Sequence, residues 1–92
     1  MKTFTKQISE VLDFDFDFAD FLAERGNDRI TSAVIVAQAG ITVVSSLTID
    51  GVLVKVYLSG GTNGIKYKVT CTAQTLGGRV VEREFFLLIK EL

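Results

Sequence analysis

The sequence predicts an all-β sandwich, and three observations carry that expectation. Apolar residues recur at every second position in one segment after another, the signature of half-buried strands. Short turns containing glycine divide these segments at the spacing of sandwich strands. The segments are also rich in valine, isoleucine and threonine, whose branched side chains suit a pleated surface. With 92 residues, 48% hydrophobic and 23% charged, the chain makes one folded domain with no room for a second core.

The first strand is expected in "LDFDFDF" (residues 12–18). Leu12, Phe14, Phe16 and Phe18 fall on one side and Asp13, Asp15 and Asp17 on the other. The period then changes: Phe18, Phe21 and Leu22 stand at i, i+3 and i+4, so "ADFLAER" is expected to form a short helix after the first strand, stopped by Gly26 and Asn27. Further strands are expected in "ITSAVIV" (30–36) and "ITVVSSLTI" (41–49), broken by Ala39-Gly40. "VLVKVYLS" (52–59) is entered through Asp50-Gly51, a pair suited to a tight hairpin. The loop "GGTNG" (60–64) leads to "IKYKVTCTAQT" (65–75), and "LGG" (76–78) turns the chain into "RVVEREFFLLI" (79–89). The opening "MKTFTKQISE" (1–10) is expected to be an N-terminal arm that orders only in an assembly, leaving 11–92 as the domain.

Faces can be assigned in the later strands. Tyr67, Val69, Cys71 and Ala73 share one side, opposite Lys66, Lys68, Thr70 and Thr72. This alternation after a glycine-rich loop is similar to the penultimate strand of immunoglobulin-like domains, where a corner tyrosine fixes the path of the chain. The fold class is therefore an immunoglobulin-like sandwich of about six to seven strands, with Cys71 in a core row as a small hydrophobe. On the last strand Arg83, Phe85, Leu87 and Ile89 share the core face.

Composition narrows the function. A net charge of −1 with singly scattered lysines and arginines argues against nucleic acid as a partner. No stretch approaches the ~20 apolar residues of a membrane span, and residues 1–10 lack the apolar core of an export signal, so synthesis and folding in a cytoplasm are expected. The single cysteine cannot form an intramolecular disulfide, and the absence of histidine removes the commonest general base and transition-metal ligand. No catalytic, metal or cofactor site is expected. The aspartates do invite a calcium reading, since Asp13, Asp15, Asp17 and Glu24 fall at the carboxylate positions of an EF-hand loop. That loop needs glycine at its sixth position, here Phe18, and the flanking pattern is that of a strand. "SGGTNGIK" (59–66) fails likewise as a phosphate loop, because a strand and not a helix follows it.

Apolar residues on the wrong face point instead to protein contacts. Phe86 and Leu88 break the polar row of Val80, Glu82, Glu84 and Lys90; Leu53 and Tyr57 face away from Val52, Val54, Val56 and Leu58. With Phe18 and Phe21 of the helical turn, these form the candidate interface, although the turn could itself cover some of them. Edge strands offer a second route, by taking a strand from another chain.

The order of features resembles a family of short tailed-phage proteins, the fibre-tail adaptors or immunoglobulin-like virion proteins. The resemblance lies in "LDFDFDFADFL" (12–22), "AGITV" (39–43), "VKVYLSGGTNGIKYKVTCT" (54–72) and "GGRVVEREF" (77–85). Phe18, Phe21 and Tyr57 stand where the family has tryptophans. The resemblance implies a non-enzymatic structural protein of the virion, at the neck, tail or fibre junction, made in the host cytoplasm. Its implied partners are other virion proteins, together with its own copies in a symmetric homo-oligomer. The alternative is a binding module for host-surface carbohydrate or receptor, built from Tyr57 and the Asp13, Asp15 and Asp17 row if these share one surface.

Overall fold

A computed structural model describes residues 2–91. Seven strands and one short helix run in the order β1 (Thr3–Lys6), β2 (Leu12–Asp17), α1 (Ala19–Ala23), β3 (Ile30–Ala37), β4 (Ile41–Ile49), β5 (Leu53–Gly60), β6 (Lys66–Thr75) and β7 (Val80–Ile89). They form two sheets, one ordered β1-β7-β6-β3 and the other β2-β5-β4. The hairpins β4–β5 and β6–β7 stay within a sheet, whereas β1 to β2, β2 to β3, β3 to β4 and β5 to β6 cross between sheets. This is an all-β sandwich.

The expected strands all form; β2, β5, β6 and β7 alternate an inward apolar row that the opposite sheet covers, whereas β4 buries only its first residue, Ile41. Val54, Val56 and Leu58 of β5 face Val69, Cys71, Phe85, Leu87 and Ile89 of the other sheet in one buried cluster. The Cys71 thiol is fully buried there, and desolvation pushes its pKa up to about 11, which keeps it protonated and inert. Beside this cluster Phe85 is the hub of four rings: its centroid lies 5.1 Å from Phe4, 5.5 Å from Phe14 and 5.0 Å from Phe16. The contact with Phe4 is edge-on, at 83°.

Local geometry holds one hairpin and two of the crossings tight. Asp50 and Gly51 both adopt left-handed backbone (φ 53° and 69°), the geometry whose twist matches a two-residue hairpin, and the Val52 amide donates to the Ile49 carbonyl at 3.1 Å. At the β5–β6 corner the Tyr67 hydroxyl accepts from the Thr62 amide at 3.0 Å, so the corner tyrosine read from the sequence does hold the chain's path. The same ring presses on the β3–β4 turn. A Cβ at residue 40 would come within 2.8 Å of it, so only glycine fits there.

The N-terminal segment departs from expectation. Residue 1 lies outside the described residues, but Thr3–Lys6 is not a free arm; it pairs in parallel with β7, Thr3 beside Phe86 and Lys6 beside Ile89. Phe4 points inward onto Phe14 and Phe85. Lys6 is 1% exposed, and its ammonium donates to the carbonyls of Gln7 (2.6 Å), Ile8 (3.2 Å) and Glu10 (2.8 Å), closing the β1–β2 loop around itself. Burial lowers the Lys6 pKa, and these carbonyls satisfy the charge. Four residues with one inward ring are too short for periodicity to reveal. The short helix therefore follows the second strand, not the first.

Candidate protein-interaction surfaces

The four-stranded sheet turns Phe86 and Leu88 outward, where both are half-buried. Cross-strand register sets Lys68 opposite Phe86 and Lys66 opposite Leu88. Lys66 Nζ sits 5.0 Å from the Phe86 ring centroid, and Lys68 pairs with Glu84 at 3.3 Å. On the other flank stand Thr3 and Thr5 of β1. The two side chains are thus fringed by lysines and by β1. The helical turn meets β7 elsewhere, at Arg83: Phe21 lies 3.8 Å from the Arg25 guanidinium and 5.3 Å from that of Arg83.

Phe18 is not a surface residue. It is 1% exposed, and its amide donates to the Val52 carbonyl at 2.9 Å. The period of two runs one residue past the end of β2, so Phe18 enters the core as the last of the inward row. Phe21 remains half-buried at the surface.

The three-stranded sheet brings together the residues expected on its outer face. Register places Asp13 beside Tyr57, Asp15 beside Lys55 and Asp17 beside Leu53. On the far side of β5 lie Ser45, Leu47 and Ile49 of β4. Lys55 Nζ bridges Asp13 at 2.9 Å and Asp15 at 3.0 Å. The hydrogen bond from that ammonium holds the Asp13 carboxyl below its usual range, and the same two carboxylates raise the Lys55 pKa. The aspartates form a straight row on a strand, so the strand reading of this segment is the one the chain adopts. Between β1 and β2 an open cleft is floored by Phe4, Phe16 and Phe85 and edged by Asp15, Asp17 and Arg83.

Two features escaped the reading of the sequence. Asp28 has a side chain only 3% exposed, with Oδ1 accepting from the Arg29 and Gly77 amides at 2.9 Å each and Oδ2 pairing with Arg79 at 2.8 Å. A hydrogen bond from Thr75, then those from Gly77, Arg29 and Arg79, hold its carboxyl well below the usual range. It ties the start of β3 to the β6–β7 turn; a lone "GND" gives no pattern that would single it out. The second feature is the β3–β4 side, where Val34 and Val36 of β3 are each 62% exposed and Val44 and Leu47 of β4, in the other sheet, are exposed as well. The signal was present: residues 30–49 contain no charged side chain.

A search among curated proteins returns no match. The chain does match the family described as "Podophage GP4 fiber-tail adaptor protein gp77" over residues 6–88, nearly the whole sandwich from the end of β1 to the penultimate residue of β7. This chain belongs to the Gp77 family of podophage fibre-tail adaptor proteins.

Proposed function

We propose that this protein is a non-enzymatic structural component of a podophage particle, joining neck, tail or fibre proteins through protein–protein contacts as a symmetric homo-oligomer. The observation that carries the reading is membership of the adaptor family across residues 6–88. The surface chemistry supports it. Both sheets turn apolar side chains outward, Phe86 and Leu88 on one and Leu53 and Tyr57 on the other, with Phe21 at the helical end. A sandwich of this size gains from burying such residues against neighbours, since its own core is small. We read the order β7-β6-β3 over β2-β5-β4, with β1 added beside β7, as the immunoglobulin-like arrangement of strands G-F-C over B-E-D. Synthesis in the host cytoplasm before incorporation fits a single, protonated, buried thiol.

Cross-linking mass spectrometry on purified particles tests this. The chain should be recovered in stoichiometric amount, with cross-links from Lys66, Lys68 or Lys90 to tail, neck or fibre proteins. Its absence from particles, with the protein abundant in the soluble fraction, would remove the structural role. A second reading, a module for host-surface carbohydrate, is favoured by one observation: Tyr57 and the three aspartates share the outer face of one sheet. Aromatic rings beside carboxylates suit sugar recognition. A glycan array without binding would eliminate it.

A further inference from the structure

β3 is an edge strand, bonded to β6 on one side and to no strand on the other among the described residues. Its sequence from Ala33 to Ala37 is AVIVA, the same in both directions, and Ser32 and Gln38 extend it with one polar residue at each end. Pairing with β6 is regular from Ser32 to Ala37, the irregularity lying before Ser32. The Gln38 amide donates to the Lys68 carbonyl at 3.1 Å, which fixes the alternation. Even-numbered residues bond to β6, so the amides and carbonyls of Ala33, Ile35 and Ala37 aim at the open side.

We infer that β3 pairs in antiparallel fashion with β3 of a second copy, about a two-fold axis at Ile35. In that register Ile35 faces its own copy, Ala33 faces Ala37, Val34 faces Val36 and Ser32 faces Gln38. The positions whose backbone groups aim outward are then the ones that meet. Ala33, Ile35 and Ala37 each oppose one of these same three residues in the second copy, and each pair exchanges two hydrogen bonds. On the outer face Val34 and Val36, 62% exposed in the single chain, pack against each other across the axis. A two-fold interface requires a surface complementary to itself, which a palindromic strand supplies.

Charge selects the same occupant. No residue from 30 to 49 is charged, so β3 and β4 bring no like charges together when they meet their copies. Across the sandwich, β4 of the other sheet likewise exposes Val44 and Leu47, 54% and 48%. The edge strand β2 offers a control within the molecule. Its sequence DFDFD is also a palindrome, but the same operation there would set Asp13 against Asp17 and Asp15 against itself. Register is pinned in β3 because a slip of one residue would turn the valines to the core face.

The inference does not depend on the adaptor reading, since it concerns the purified chain; absence from particles would leave it intact. Sedimentation of the full chain over a concentration series should show a monomer–dimer equilibrium. The double substitution Val34→Lys with Val36→Lys should keep the circular dichroism spectrum and raise the dissociation constant by about 100-fold or more, because like charges then face each other. Register is read by mixing Val34→Cys protein with Val36→Cys protein under mild oxidation. These positions face each other as a closely spaced pair, so mixed disulfide should greatly exceed that formed by either protein alone. A chain that stays monomeric throughout, a dimer indifferent to the lysine pair, or no excess of mixed disulfide would each overturn the pairing.

Discussion

The two open sides of this sandwich meet the same physical problem with opposite chemistry. Every two-sheet sandwich leaves four edge strands whose outer backbone groups have no partner strand, and such edges invite unwanted pairing. On one side stand β1 and β2. There the chain places aspartates at every second position of β2, sets Lys55 across two of them, and closes the loop between the strands around the buried Lys6 ammonium. The interior behind that side is filled by four phenylalanines. The other side carries β3 and β4 without a charged residue, and its valines face water. One edge is guarded, the other is left ready to pair. The difference teaches that exposed apolar side chains are informative where the guard is missing, and less so where lysines and a neighbouring strand already fringe them, as at Phe86 and Leu88.

That contrast can be broken most severely from inside the guarded side. Phe85→Ala removes the ring that Phe4, Phe14 and Phe16 share and should lower stability by ~3–5 kcal/mol in urea denaturation, since the three rings cannot all collapse into the space. A smaller loss would mean that the aromatic cluster is not what holds β1 in place. Next in size is Asp28→Asn. The folded carboxyl titrates well below the unfolded one, so its contribution is present above about pH 4 and fades as pH falls below that. The variant should unfold at lower urea than the parent at pH 7, and the gap should narrow below pH 4. A gap independent of pH would show that the hub acts by packing and not by charge.

Lys55→Met sharpens the guard itself. Without the ammonium, Asp13 should return toward the ordinary carboxylate range, or above it, in an NMR titration, because the bridge becomes a pair of like charges. Added salt should then stabilise the variant by screening that repulsion. The smallest effect is expected on the open side. Val34→Ala should change the monomer's stability by no more than about 0.5 kcal/mol, because the side chain is mostly in water before it is removed. A large loss in the monomer would mean that β3 is anchored from its outer face.

Six of the seven strands were legible, β2 and β6 from strict alternation and the others from β-branched runs between turn signals, and the Asp50-Gly51 pair named its turn directly. β1 was not, since Phe4 alone carries its inward signal and the pairing that orders it comes from β7, more than eighty residues away. Phe18 stands both in the strand's inward row and among the interface candidates because it satisfies both periods at once; only the tertiary fold shows that the strand's claim wins. Asp28 has no local signature, as its partners Thr75, Gly77 and Arg79 are brought to it by the β6–β7 turn. The uncharged run across β3 and β4 was visible from the start. What the sequence could not say was that both strands lie at the same side with their outer edges open.

The parallel pairing of β1 with β7 has a mechanical consequence. Residue 2 meets the chain again at Phe86, where the Phe86 amide donates to the Lys2 carbonyl at 2.9 Å, and residue 6 meets it at Lys90, with a bond of 3.0 Å. Tension applied along the strands between residues 2 and 91 therefore loads the whole β1–β7 ladder in shear, all its hydrogen bonds together. Such a seam resists pulling far better than a hairpin that unzips one bond at a time.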